Sequence, residues 1–168
     1  AMAVDIVERR RGRPAGNDEL EPTTRSAVAF GRRLSAPRYL ESLGAVHRLG
    51  RQVGQFMEGD GSPDSGYDLM LSPVLATPPI ELGRIAMNHP DFIEYRIGPN
   101  GIIRYSPFTP LANATGQPSA SVPFATSSEG LPIGVMLTGR FGEDHRVLQA
   151  AAQIERARPW APFAPYRR

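Results

Sequence analysis

Residues 106–139 read SPFTPLANATGQPSASVPFATSSEGLPIGVMLTG, and the prolines and glycines in that run leave the backbone few choices. Pro107-Phe108-Thr109 with Leu111-Ala112 forms a first helical turn opened by proline, and Thr115-Gly116 supplies the left-handed stop that glycine takes without strain. The helix is therefore short, about two turns. Residues 119–124 alternate small and apolar side chains as a strand does, and residues 131–138 form a second apolar strand. Between them Ser127-Ser128-Glu129-Gly130 is turn chemistry, so the two strands are placed to pair as a hairpin. Pro123 and Pro132 lack a ladder donor, which assigns each to a strand end, an edge or a bulge.

The whole sequence, 168 residues, has the length of one ordinary domain and reads as a single region. Hydrophobic residues make up 40%, more than a disordered composition carries, while 17 glycines and 17 prolines imply many loops. No cysteine is present, which excludes disulfides and thiolate metal sites, and no metal or other cofactor is expected. No apolar run approaches the roughly 18 residues that span a bilayer, and no signal-like segment opens the sequence. A soluble, cytoplasmic protein with no membrane partner is the default expectation. A net charge of +2 leaves little electrostatic footprint for nucleic acid. All 19 basic residues are arginine. A desolvated lysine can release its proton whereas guanidinium stays charged, so chemistry that needs a lysine base cannot be completed within this chain.

Along the chain, residues 1–58 read as helical. Val4 and Val7 followed by an arginine block suggest a short helix fraying into a basic loop over 4–13. Arg9-Arg10-Arg11 is a solvated face rather than a phosphate site, because no aromatics interleave and acidic residues nearly balance it. Thr23 or Thr24 caps a helix reaching Leu34, with Ala27, Val28 and Leu34 apolar. Ser35 caps the next helix, residues 37–58, in which Tyr39, Leu40, Leu43, Val46, Leu49, Val53, Phe56 and Met57 fall at three- and four-residue spacings and predict one buried stripe. His47 lies beside that stripe without a second ligand at four-residue spacing, so it reads as structural rather than catalytic. Residues 67–73 form a near-continuous apolar strand, expected to be buried on both faces. Prolines make 73–83 irregular. Within 84–105, His89 either lines a pocket or sits exposed in a turn, and 92–95 is helix or strand. Phe92, Tyr95 and Ile97 suggest an apolar wall, with Arg96 or Arg104 available to a carboxylate. A last helix opens at Gly142-Glu143-Asp144, where the helix dipole favours acids, and buries Val147, Leu148, Ala151 and Ile154. Residues 158–168 form a proline-rich tail pinned by Trp160 and Phe163.

The run FTPLANATGQPSASVPF, followed by GLPIGVMLTGRFGEDHRVLQAAAQIE, resembles the carboxy-terminal core of the amidase signature family. The likeness extends back through the apolar strand and its proline-rich loop to the first helices, and forward to Trp160. It implies an α/β fold in which this chain is part of a mixed β-sheet flanked by helices. It also implies hydrolysis of a carboxamide C–N bond by a serine, cis-serine and lysine triad. The family's GGSS-type loop has no counterpart here, and Ser127-Ser128 sits in a turn. No catalytic residue is therefore assigned, and the triad is expected in an amino-terminal part outside these residues. Phe108, Thr109 and Asn113 are the candidate substrate-pocket residues, with Asn113 alternatively closing the helix end. The glutamine-hydrolysing relatives carry an acidic residue about three positions before the equivalent of Thr109. This chain has Ser106 there, which argues against recognition of a glutamine amino group. The ending at 157–160 is similar to bacterial amidases of the 6-aminohexanoate cyclic dimer hydrolase type.

The expected partners are an amide substrate and the amino-terminal half of the amidase. An alternative is a catalytically inactive truncated amidase, or an interaction module that pairs with a separate half. Unmatched strand edges and an uncovered apolar face would then drive partner binding or homo-oligomer formation.

Overall fold

The computed structural model describes residues 1–62 and 65–160. In chain order its elements are α1 (Met2–Arg11), α2 (Pro22–Arg32), α3 (Ala36–Glu58), β1 (Leu69–Pro73), α4 (Phe92–Ile97), α5 (Ile102–Tyr105), α6 (Thr109–Thr115), β2 (Ser119–Thr126), β3 (Pro132–Gly139) and α7 (Asp144–Ala157). The chain divides into two units, one of Ala1–Leu43 with Ile80–Tyr105 and one of Gly44–Pro79 with Ser106–Arg168.

In the first unit, α1 stops at Gly12, whose φ of 69° is a left-handed conformation that favours glycine. The arginines around this stop are tied to acids: Arg11 and Arg13 both reach Glu19, and Arg32 bridges Asp5 and Glu8. Glu19 is held well below the usual carboxylate range, chiefly by its hydrogen bond from Arg13, then by Arg11 and the Gly16 N–H. Arg11 of the basic block is thus paired within the fold, while Arg9 donates to the Asp5 carbonyl rather than to an acid. Thr23 lies in the first turn of α2 and is only 1% exposed. Its hydroxyl donates to the His89 carbonyl and accepts from the His89 N–H, both at 3.0 Å. Ser26 Oγ accepts from the Phe92 N–H, and the Phe30 and Phe92 rings lie 6.2 Å apart. Residues 92–97 are helical because Asp91 caps them, accepting from the N–H groups of Ile93 and Glu94. On a helix Phe92 and Tyr95 share a face, whereas Ile97 points elsewhere and is exposed, so the expected apolar wall does not include it.

The second unit holds a three-stranded antiparallel sheet in the order β1-β3-β2. Its core is Met57, Val122, Met136, Leu137 and Val147, with Thr138 buried beside Ser119 Oγ at 2.8 Å. Gly139 N–H donates to the Pro118 carbonyl, so in the alternating ladder the polar groups of Gly139 face the β2 side. Pairing Leu69 with Gly139 and Ser119 with Thr138 then sets the rest. Pro73 and Pro123 both fall at positions whose backbone nitrogen points away from β3, where a missing N–H breaks no ladder bond. A bulge follows at Pro123/Ala125, and Pro132 opens β3. Both expectations for Pro123 and Pro132 hold.

Three expectations of burial do not. Among the described residues of α3 only Met57 is fully buried, and Tyr39, Leu40, Leu43, Leu49 and Phe56 are exposed. β1 is an edge strand whose Leu71 is 65% exposed rather than buried on both faces. On α7, Val147 is buried but Leu148 is 67% exposed. Each pattern has the right period, yet nothing among the described residues covers the face. Residues 73–83 are irregular as expected, and Phe163 lies outside the described residues.

Candidate functional site

The site region of the second unit begins at α6. Ser106 Oγ lies 2.9 Å from Thr109 Oγ1, so Thr109 enters the helix with its hydroxyl already engaged. Phe108 stands at the helix N-cap and is half-buried. Pro110 rather than Pro107 occupies the first turn, and Gly116 closes the helix with φ 77°, its N–H donating to Ala112 O. The helix end is thus closed by Gly116 and not by Asn113, whose side chain is exposed.

Beyond the helix a hydrogen-bonded chain runs to the sheet. Thr115 Oγ1 lies 3.0 Å from both Leu111 O and Gln117 Oε1, sharing its one hydrogen. Buried Gln117 donates through Nε2 to the Gly139 carbonyl. Arg140 Nε donates to the Tyr67 carbonyl, and the Tyr67 N–H donates to Met57 O. Thr115, Gln117 and Arg140 from this network form one side of an open groove of about 540 Å³, whose other side is the carboxy-terminal half of α3. His47, Arg51, Met57, Thr115, Gln117 and Arg140 line it. Glu143, also on its wall, has Arg146 Nε 2.9 Å from Oε2, an ion pair without hydrogen-bond alignment.

The candidate pocket residues Phe108, Thr109 and Asn113 do not line this groove, which takes in their neighbours Ala114 and Thr115. Gln117 was missed. Its signal was faint, a single amide between a helix stop and Pro118. His47 is exposed and lies on the groove. His89 lines a separate hollow of about 280 Å³ in the first unit, with its Nδ1 accepting from the Asp91 N–H. Ser127 Oγ accepts from the N–H groups of Glu129 and Leu131, a turn-holding role. The groove carries the guanidinium groups of Arg51 and Arg140 and the carboxylates of Glu58 and Glu143, and the Thr115 hydroxyl on it is already bonded within the fold. Such a surface can bind and orient a partner. Among the described residues no group of His, Cys, Asp and Glu is arranged to hold a metal.

The family model described as Amidase matches residues 4–148. The chain is similar to a Mycobacterium leprae protein named as amidase AmiC, 32% identical over 156 residues that cover 90% of this chain and 31% of that protein. It is also similar to the 6-aminohexanoate-cyclic-dimer hydrolase of Pseudomonas sp., at 29% identity covering 92% of this chain and 30% of the relative. A solved structure of 6-aminohexanoate cyclic dimer hydrolase superposes with a TM-score of 0.79 at 26% identity, covering 96% of this chain and 33% of the other. The chain spans about a third of the length of the relatives it matches. With the helix, hairpin and final helix in the expected order and the family model covering most of the sequence, the chain belongs to the Amidase family.

Proposed function

We propose that this chain is the carboxy-terminal portion of an amidase that hydrolyses a carboxamide C–N bond. The observation that carries this reading is the Amidase match over residues 4–148 in a sequence with no lysine. The serine, cis-serine and lysine triad then belongs to an amino-terminal part outside these 168 residues, and this portion completes the sheet and walls the substrate pocket. Phe108, Thr109 and Asn113 form its contribution to that wall. Asn113 is exposed and so free to meet a substrate or the amino-terminal part, and half-buried Phe108 gives the wall its apolar character. The apolar faces left uncovered on α3 and α7 favour a second reading of the same chain, an inactive module that binds a separately encoded amino-terminal half.

Hydrolysis decides between them. The isolated chain and the native gene product, captured from its source cells, are each incubated with three amides. Ammonia release is read from a linear amide, aniline release from an aryl amide, and a new amine from 6-aminohexanoate cyclic dimer. No product from the isolated chain and product from the native species are expected. Turnover by the isolated chain would overturn the placement of the triad, and an inactive native species would overturn the amidase reading in favour of the module.

A further inference from the structure

The wall of Phe108, Thr109 and Asn113 does not include the groove beside α3, and the α3 side of that groove carries two glycines. His47, Gly50, Arg51, Gly54 and Glu58 fall three and four residues apart on α3, so one helix face supplies that side. A helix interior favours alanine over glycine, because glycine has more backbone freedom to lose. A Cβ built at Gly50 or at Gly54 meets no atom within 4 Å, so packing within this chain requires neither glycine. What they leave is room against the helix backbone. On the opposite wall Gln117 is only 9% exposed, and its amide is half used. Nε2 gives one hydrogen to the Gly139 carbonyl, and its other hydrogen has no acceptor among the described residues. Arg140, the next residue after Gly139, directs Nε to the Tyr67 carbonyl, and its terminal nitrogens have no partner among the described residues. Exposed Arg51 forms no ion pair among the described residues, whereas the Glu143 carboxylate is already paired with Arg146. The groove therefore has unused N–H donors on both walls.

We propose that this groove binds a short aliphatic monocarboxylate, whose oxygens accept from the free hydrogen of Gln117 Nε2 and from the Arg140 and Arg51 guanidinium groups, and whose methylenes lie on Gly50 and Gly54. Guanidinium presents paired donors that match the two oxygens of a carboxylate, and a charge-assisted bond is the stronger kind. Met57 and Phe141, also on the groove, give the methylenes apolar contact. Glu58 repels a second carboxylate, which restricts the class to monoacids. A volume of about 540 Å³ lies within the range of small-ligand sites. Hydrolysis of an amide releases an acid of this class, so the source of the ligand, though not its binding, rests on the reading of this chain as part of an amidase.

Equilibrium dialysis of the native gene product against radiolabelled hexanoate tests this, with unlabelled hexanamide and hexylamine as competitors and the melting temperature as a second readout. Hexanoate binds, and neither the neutral amide nor the amine displaces it. Arg51→Gln removes a cation, Gly54→Leu fills the space over the helix, and each weakens hexanoate by about tenfold or more. Gly54→Ala weakens it too, yet without ligand melts no lower than the parent, because the added methyl meets nothing in this chain. Absence of hexanoate binding overturns the proposal. So does binding that survives in both Arg51→Gln and Gly54→Leu, which would place it elsewhere in the protein, or displacement by hexanamide, which would remove the role of charge. A lowered melting temperature for Gly54→Ala also overturns it, since the groove would then be filled by polypeptide. Amide hydrolysis by the same native species separates the two readings. Turnover without groove-dependent binding overturns the carboxylate site alone, and groove-dependent binding without turnover overturns the amidase activity alone.

Discussion

Thr23 has both hydroxyl bonds directed to one peptide segment, the N–H and carbonyl of His89. Valine has the same shape but leaves both part-buried groups without this partner, so Thr23→Val is expected to cost about 1–2 kcal/mol. A urea midpoint unchanged from the parent would contradict the hydrogen bonds described. Gly139 is constrained in a different way. A Cβ there would stand 2.8 Å from Val147 Cγ2, and Val147 is buried with little room to yield. Gly139→Ala should therefore destabilise by about 1–3 kcal/mol. Adding Val147→Ala should recover part of that loss, giving a coupling that a double-mutant cycle measures. Neither residue stood out in the sequence. Thr23 was one of two threonines suited to cap a helix, and its partner lies 66 positions away.

At the scale of elements, α3 has the period of a buried helix and the exposure of an uncovered one. If its stripe were buried within this chain, Leu40→Glu would cost at least the 2–5 kcal/mol typical of losing a core leucine. At 62% exposure the expected change in the isolated chain is within about 0.5 kcal/mol, read by thermal or urea unfolding. The loop that follows α3 is held by Asp60, whose carboxyl is lowered from 3.8 to about 2, first by the Ser62 N–H and then by the Ser65 and Ser62 hydroxyls. A lowered value in the folded state means this support is fully present above the ordinary value of 3.8 and is lost as the pH falls through about 2. The Asp60 carboxyl carbon should titrate with that low midpoint by NMR, and a midpoint at the ordinary value would remove the bonds from the account. Most element types and their order were legible in the sequence, because stops such as Gly116 are local. Within 84–105 they were not: 92–95 admits helix or strand until the Asp91 cap decides it in favour of helix, and the short helix Ile102–Tyr105 was not foreseen.

For the whole molecule, the exposed apolar residues of α3, β1 and α7 and the one-third coverage of the relatives point to the same expectation. The native gene product should be heavier than the 18.3 kDa of this chain, and the isolated chain should bind a solvatochromic dye more strongly than the native species does. A native species at 18.3 kDa with equal dye binding would assign those faces to solvent. No helix among the described residues is long and apolar enough to cross a membrane, so the exposed apolar residues are not part of a helical span.

Periodicity, proline and glycine placement and the lack of lysine are properties of the sequence, and by themselves they determined the helix–hairpin–helix order, the family resemblance and the exclusion of a complete Ser-Lys site. They act within a few residues, so reading them requires no knowledge of what lies across the fold. Which faces are covered depends on partners distant in the chain or outside it, and period alone cannot supply them. Only the tertiary structure decided that Leu40, Leu71 and Leu148 are exposed, that Gln117 joins α6 to β3, and that β1 stands at the edge of the sheet.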